Sequence, residues 1–208
     1  MGLPVELLLE AVMFGVLLGC FYAAVSMGLS VSFGLLDVPH VAHPAVMIFG
    51  SYCTYVLAQR GLDPILAGLV LMAPFFVLGM LLYRFYYETC ERRGTEPALR
   101  LMGANPVRIK QWAFGIATAV TALAGALLII VGPVEPTLDR VYIGRTFSIV
   151  VLAGLGSMTG TVAAGLILGI SESIVLIHPS LGASWAPAVS FTLLLLVLGV
   201  RPQGLFGR

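Results

Sequence analysis

Between residues 83 and 110 the chain reads YRFYYETCERRGTEPALRLMGANPVRIK, the one long polar stretch in a sequence otherwise built of apolar runs. Six of the eleven Lys and Arg residues fall in it: Arg84, Arg92, Arg93, Arg100, Arg108 and Lys110. Cationic residues close to the ends of apolar spans resist translocation, so such a loop stays on the cytoplasmic side. The stretch therefore sets the expected orientation of everything that flanks it, and it offers a surface to a cytoplasmic partner. A composition of 59% hydrophobic and 10% charged residues agrees, since a soluble domain carries about a quarter charged residues. The reading is an integral membrane protein. No Lys or Arg precedes Arg60, so the chain lacks the basic start of a cleaved signal peptide and its first apolar segment is expected to remain as a span. Cys20, Cys53 and Cys90 are widely spaced and read as small hydrophobes, not as a disulfide framework or a metal site.

Residues 4–36 are almost continuously apolar and exceed the ~20 residues that a span requires. Gly15 and Gly19 stand four apart, which puts two glycines on one helix face for close packing. From Ser26 a small residue recurs at every second position: Ser26, Gly28, Ser30, Ser32 and Gly34. This texture predicts helix to about Met27, then an irregular or half-helical piece ending near Asp37. Unwound backbone at membrane depth must be buried in protein or line a cavity. Residues 28–43, with Ser30, Ser32 and His43, are therefore expected along a transport path. Spans are expected at 44–58, at 65–82 with a kink at Pro74, and at 112–131, where Gly115, Ala122 and Gly125 offer small packing faces. Residues 132–145, with Glu135, Asp139 and Arg140, read as an external loop. The last part holds a half-length segment at 146–155, a longer one at 162–177, a final apolar element at 186–200 and a basic tail at 201–208. Parity then puts the tail inside and, if residues 4–36 cross once, the N-terminus outside.

The stretch 154–160 (GLGSMTG) lacks the Lys of a phosphate-binding loop and sits between apolar segments. It predicts a re-entrant turn at Gly154, Gly156, Ser157 and Gly160, with helix ends at mid-membrane whose N–H groups and carbonyls are free to meet a polar substrate. A close-packing glycine patch fits the same residues. Glu172 lies within an apolar helix and is costly unless paired. Ser171, Ser173 or a residue of another helix are its expected partners, in a structural tether ahead of a substrate contact. His40 and His43 can share a helix face, but no Cys or carboxylate cluster accompanies them, and hydrogen-bonding roles in a helix break are preferred to a metal site. There is no GxxxxGK[ST] sequence, hence no expected nucleotide site. No convergent Ser/His/Asp or metal set appears, so no catalytic residue, no metal and no nucleic-acid partner is expected.

Residues 33–52 (FGLLDVPHVAHPAVMIFGSY), 97–106 (PALRLMGANP), 151–160 (VLAGLGSMTG) and 201–207 (RPQGLFG) together resemble the branched-chain amino-acid ABC transporter permeases. The second of these resembles that family's form of the importers' cytoplasmic coupling loop, EAA-x3-G. His40 stands where the family has Asn, and Pro97 and Leu99 replace two of the coupling motif's glutamate-alanine positions; of the two histidines only His43 matches. The resemblance implies an all-α polytopic transmembrane helical bundle with broken, re-entrant helices, a type II-like ABC importer permease, forming a single transmembrane domain over 1–208. It implies a coupling loop at about 84–110, in which Ala98, Arg100, Leu101, Gly103, Ala104 and Asn105 seat on an ATPase. It implies transport of branched-chain amino acids or related small amino acids and amides across the bacterial inner membrane. The implied partners are a second permease subunit, cytoplasmic ABC ATPases that use the ATP, a periplasmic substrate-binding protein, the amino-acid substrate and membrane lipid. The chain itself would hold no cofactor and perform no chemistry. The family pattern includes a further pair of spans before the coupling loop, so the chain resembles a member with an internal deletion near Glu96. A non-transporting remnant or structural subunit is the alternative, ahead of a membrane-embedded enzyme.

Overall fold

The computed structural model describes residues 5–36, 42–87, 106–135, 137–178 and 185–207. All regular structure among them is helical: α1 (Val5–Leu36), α2 (His43–Ala58), α3 (Pro64–Leu82), a π-helical turn (Tyr83–Tyr87), α4 (Pro106–Val131), α5 (Leu138–Ala153), α6 (Met158–Leu176) and α7 (Ala186–Val200). Four stretches are long and apolar enough to cross a membrane: Val5–Gly34, Pro64–Phe85, Val107–Val131 and Met158–Leu176. The protein is thus an all-α, multi-pass membrane protein. Its chain divides into two compact units, one of Met1–Ser30 with Glu135–Arg208, the other Val31–Val134.

Three expectations change. Helix α1 runs unbroken to Leu36, where the sequence texture predicted unwinding after Met27. No proline interrupts residues 5–36, so every backbone N–H can bond its carbonyl four residues back. Glycine costs about 1 kcal/mol in a helix, which is less than the several kcal/mol of an unmade backbone bond in lipid. Residues 37–41, with Asp37 and His40, lie outside the described residues. Second, α5 begins at Leu138, so much of the expected external loop is helix, and the supposed half-segment has 16 residues. Burial of Tyr142, Ile149 and Val150 against its unit outweighs the charged residues of its first turn. Third, α2 has 16 residues and rises about 24 Å, short of the ~30 Å hydrocarbon core. The chain turns after it at Gly61 (φ 90°), and Asp63 caps α3 by accepting from the Ile65 N–H at 2.9 Å.

In the Val31–Val134 unit, α4 packs on α2 and α3 through small residues. A Cβ on Gly50 would stand 2.9 Å from Ala122 Cα, and one on Gly68 2.6 Å from Ala126 Cβ. In the absence of a hydrophobic force between helices in lipid, such backbone approach supplies the packing energy. Val46, Phe75 and Ala122 form one core cluster, Tyr83 and Phe114 another. Pro74 lies inside α3, which continues beyond it. Thr118 and Thr121 satisfy their hydroxyls on the carbonyls of Phe114 and Ala117, both at 2.7 Å.

In the other unit, α1 lies antiparallel to α6, since partner numbers fall along α6 as they rise along α1. A Cβ on Gly15 would stand 2.7 Å from Ile170 Cα, and one on Gly19 2.7 Å from Leu166 Cα. Reciprocally, a Cβ on Gly165 would come within 2.9 Å of Ala23 N. The pair read from Gly15 and Gly19 is therefore a two-sided glycine contact. Ser173 adds a hydrogen bond from its hydroxyl to the Ala11 carbonyl at 2.6 Å.

Candidate functional site

Two centres in the first unit take in Gly154, Gly156, Ser157, Gly160 and Glu172, five of the eight residues expected near the transport path. One is the break between α5 and α6. Gly154 (φ 93°) and Gly156 (φ 82°) adopt left-handed backbone that side chains disfavour, and they reverse the chain in four residues. Ser157 then caps α6, its hydroxyl accepting from the Gly160 N–H at 3.1 Å. The carbonyls at the end of α5 are met from elsewhere: Leu205 N–H donates to Leu152 O at 2.8 Å and Phe206 N–H to Ala153 O at 3.0 Å. Gly160, placed in the turn by the sequence reading, is inside α6.

The other centre surrounds Glu172, which is 1% exposed. Tyr22 of α1 donates its hydroxyl to Oε2 at 2.6 Å, and Ser190 of α7 donates to Oε1 at 2.7 Å. Arg145 of α5 brings Nε to 3.2 Å from Oε1; its N–H is not aligned for a hydrogen bond, so this contact is an ion pair. The same guanidinium lies over the Tyr22 ring, 5.6 Å from the centroid, a cation–π distance. Phe21 and Tyr142 pack edge to face at 5.8 Å. Four helices thus meet at one carboxylate. The expected partners Ser171 and Ser173 are not among these contacts. Ser171 donates back to Ile167 O at 2.7 Å, and Ser173 reaches Ala11 O as described above. Neighbours in sequence point around the helix away from Glu172, so its partners had to come from other helices. Tyr22, Arg145 and Ser190 were missed. The available signal was a lone arginine, Arg145, at the start of one apolar run, and the single tyrosine, Tyr22, within another.

The two centres are separate. Glu172 lies fifteen residues beyond Ser157, about 22 Å along α6. Ser30 is buried in the first unit, as is Ser26 one turn before it, and neither hydroxyl has a hydrogen-bond partner. In the Val31–Val134 unit, Ser32 is likewise buried and unpartnered. His43 is fully buried there, with Nδ1 3.1 Å from Thr121 Oγ1. The single Thr121 proton is committed to Ala117 O, so the histidine Nδ1–H donates to the threonine. Among the described residues no group of three or more His, Cys, Asp or Glu converges. The coupling-loop residues Ala98, Arg100, Leu101, Gly103, Ala104 and Asn105 lie outside the described residues.

Residues 93–198 match the family described as the branched-chain amino acid transport system / permease component, a span of half the chain that takes in α4, the break, Arg145, Glu172 and Ser190. The chain belongs to this permease family. Among curated proteins it is 38% identical over 109 residues to the high-affinity branched-chain amino acid transport system permease protein LivH of Escherichia coli (strain K12), covering 52% of this chain and 35% of that protein. LivH of Salmonella typhimurium aligns with the same figures, and BraD of Pseudomonas aeruginosa is 35% identical over the same coverage. This permease-family chain therefore aligns to about a third of the length of those relatives. No solved structure matches it.

Proposed function

We propose that this chain is a permease subunit of an ABC importer that moves branched-chain amino acids, or related small amino acids and amides, across the bacterial inner membrane. The observation that carries the reading is the family match over residues 93–198, which takes in the broken pair α5 and α6 together with all of the coupling motif at 97–106. Lacking a nucleotide-binding sequence of its own, the subunit works with cytoplasmic ATPases that seat on residues 84–110, with a second permease subunit and with a periplasmic binding protein. Residues 84–110 and the C-terminal part face the cytoplasm. The broken helix and the buried, unpartnered hydroxyl of Ser30, both in the first unit, support a polar route through an apolar protein: a helix interruption at membrane depth is stable only where protein or water meets its backbone. Glu172, saturated by Tyr22, Ser190 and Arg145, serves as the clamp that holds four helices around that route and does not contact substrate. The test is ATP-dependent uptake of labelled leucine into proteoliposomes holding this chain, the partner permease and the ATPases, with the binding protein added outside. Uptake that needs both ATP and this chain is expected. A complex that assembles and hydrolyses ATP without taking up any branched-chain amino acid counts against the assignment.

A second reading, a non-transporting structural subunit, draws on the chain's alignment to only 35% of its relatives. It predicts unchanged uptake by the partner subunits when this chain is left out.

A further inference from the structure

The motif at 201–207 plays no part in the route just described, yet it is built into the break. Beyond α7 the chain turns at Gly204 (φ 82°), with the Gly204 N–H bonded to Arg201 O at 3.0 Å. It then runs past the end of α5, where the Leu205 and Phe206 N–H groups meet the Leu152 and Ala153 carbonyls. The approach is backbone on backbone. A Cβ on Gly154 would stand 2.5 Å from Gly207 N and 3.0 Å from Gln203 O, and one on Gly204 2.6 Å from Gly154 N. Gly204 is buried, while Phe206 keeps half its surface exposed. The segment is therefore held by its main chain and not by a large side chain.

Leu152 and Ala153 are buried, and a helix that stops in a buried setting leaves its last carbonyls without partners at a cost. The following residues often supply such partners themselves, but here Gly154 turns the chain away after a single short-range bond to Val151 O at 3.1 Å. The donors come instead from residues some fifty positions later. We propose that residues 203–207 are a positioning element of the permease: from about fifty positions later in the same chain they complete the end of α5 and so hold the α5–α6 break in its working geometry. The α5 end, the turn and the N-terminus of α6 then form one rigid unit only while this segment is docked. Gly154 and Gly204 are glycines because a side chain on either would hold the two backbones apart, while a side chain on Gly207 would collide with Gln203 within the segment itself.

The proposal separates the backbone donor from the side chain. Phe206→Ala retains the N–H and loses a half-exposed ring; Phe206→Pro deletes the N–H that Ala153 O needs. In the full complex, Phe206→Ala is expected to keep uptake within about twofold of the parent. Phe206→Pro, and a chain lacking 203–208, should lose about tenfold or more of the maximal rate, the scale of one unmade buried backbone bond. KM, set largely by the binding protein, and the amount of complex in the membrane should stay near the parent values. An independent readout is amide hydrogen exchange across the break, where the Gly154 N–H bonds Val151 O and the Ser157 N–H bonds Gly154 O: both amides should exchange faster once 203–208 are removed. Equal uptake by the Pro and Ala variants, or unchanged exchange in the shortened chain, would overturn the proposal. Because the exchange arm reads geometry, it stands even if the parent complex takes up nothing, an outcome that would sink the permease assignment alone.

Discussion

At the scale of single residues, Glu172 and Arg145 show how a buried charge is kept in an apolar bundle. Both charges are withdrawn from solvent, Glu172 at 1% and Arg145 at 16% side-chain exposure; each is compensated by the other, Glu172 also by two hydroxyls and Arg145 by the Tyr22 ring. Removing one partner of such a pair costs roughly 3–5 kcal/mol, whereas replacing both by apolar groups of similar volume is often neutral. Glu172→Met is therefore expected to lower stability by that amount in detergent unfolding, and the double change with Arg145→Met to recover most of it. Additive losses would show that the pair is not coupled. Ser26 poses the opposite case. Its buried hydroxyl has no partner, and an unsatisfied group of this kind costs about 1–3 kcal/mol. Ser26→Ala should leave the unfolding midpoint unchanged or raise it; a clear drop would reveal a partner for the hydroxyl, such as water in the route.

At the scale of elements, the α1–α6 contact depends on four glycines that let two backbones touch. Gly169 is the tightest of these: a side chain there meets the Gly19 backbone, which cannot move without displacing a helix of 32 residues. Gly169→Val is expected to destabilise by more than the ~1–3 kcal/mol typical of an overpacked core, and a disulfide engineered between Ala11→Cys and Ser173→Cys, whose parent side chain and carbonyl are bonded, should form less readily in that variant. Unimpaired cross-linking would mean that the helices do not rely on this approach. Helix α1 itself gives a second test. Amides of residues 28–34 should exchange as slowly as those of 15–25, because the helix is continuous to Leu36. Fast exchange confined to 28–34 would restore the unwound segment that the alternation of small residues suggested.

For the whole molecule, the proposed function rests on the expected coupling surface and membrane orientation. Under the proposed coupling role, Gly103→Arg, or deletion of residues 101–105, should abolish uptake while insertion remains normal. ATPase co-purification at parent level with both changes would remove the coupling role. Cysteines placed at Glu135 and at Arg92 should label from outside and from inside respectively; the reverse pattern would invert the topology.

How much of this was legible in the residues follows from what each signal depends on. Apolar length and the cluster of cations in 83–110 are local properties, and they determine by themselves that this is a polytopic helical membrane protein. The helix break at Gly154 and Gly156 was legible because a dense glycine and serine stretch between two apolar runs permits the left-handed backbone of a turn. The Gly15 and Gly19 face was legible because helical spacing alone brings them together. The alternation over Ser26 to Gly34 misled, because small polar residues permit unwinding without requiring it, and a low-dielectric surrounding favours the completed helix. Only the tertiary structure decided the partners of Glu172 and the docking of residues 203–207 on Leu152 and Ala153. Both join residues far apart in the chain, 150 positions in the case of Tyr22 and Glu172. Such pairings are set by which helix faces come into register in the packed bundle, and no periodicity within a single segment encodes that register.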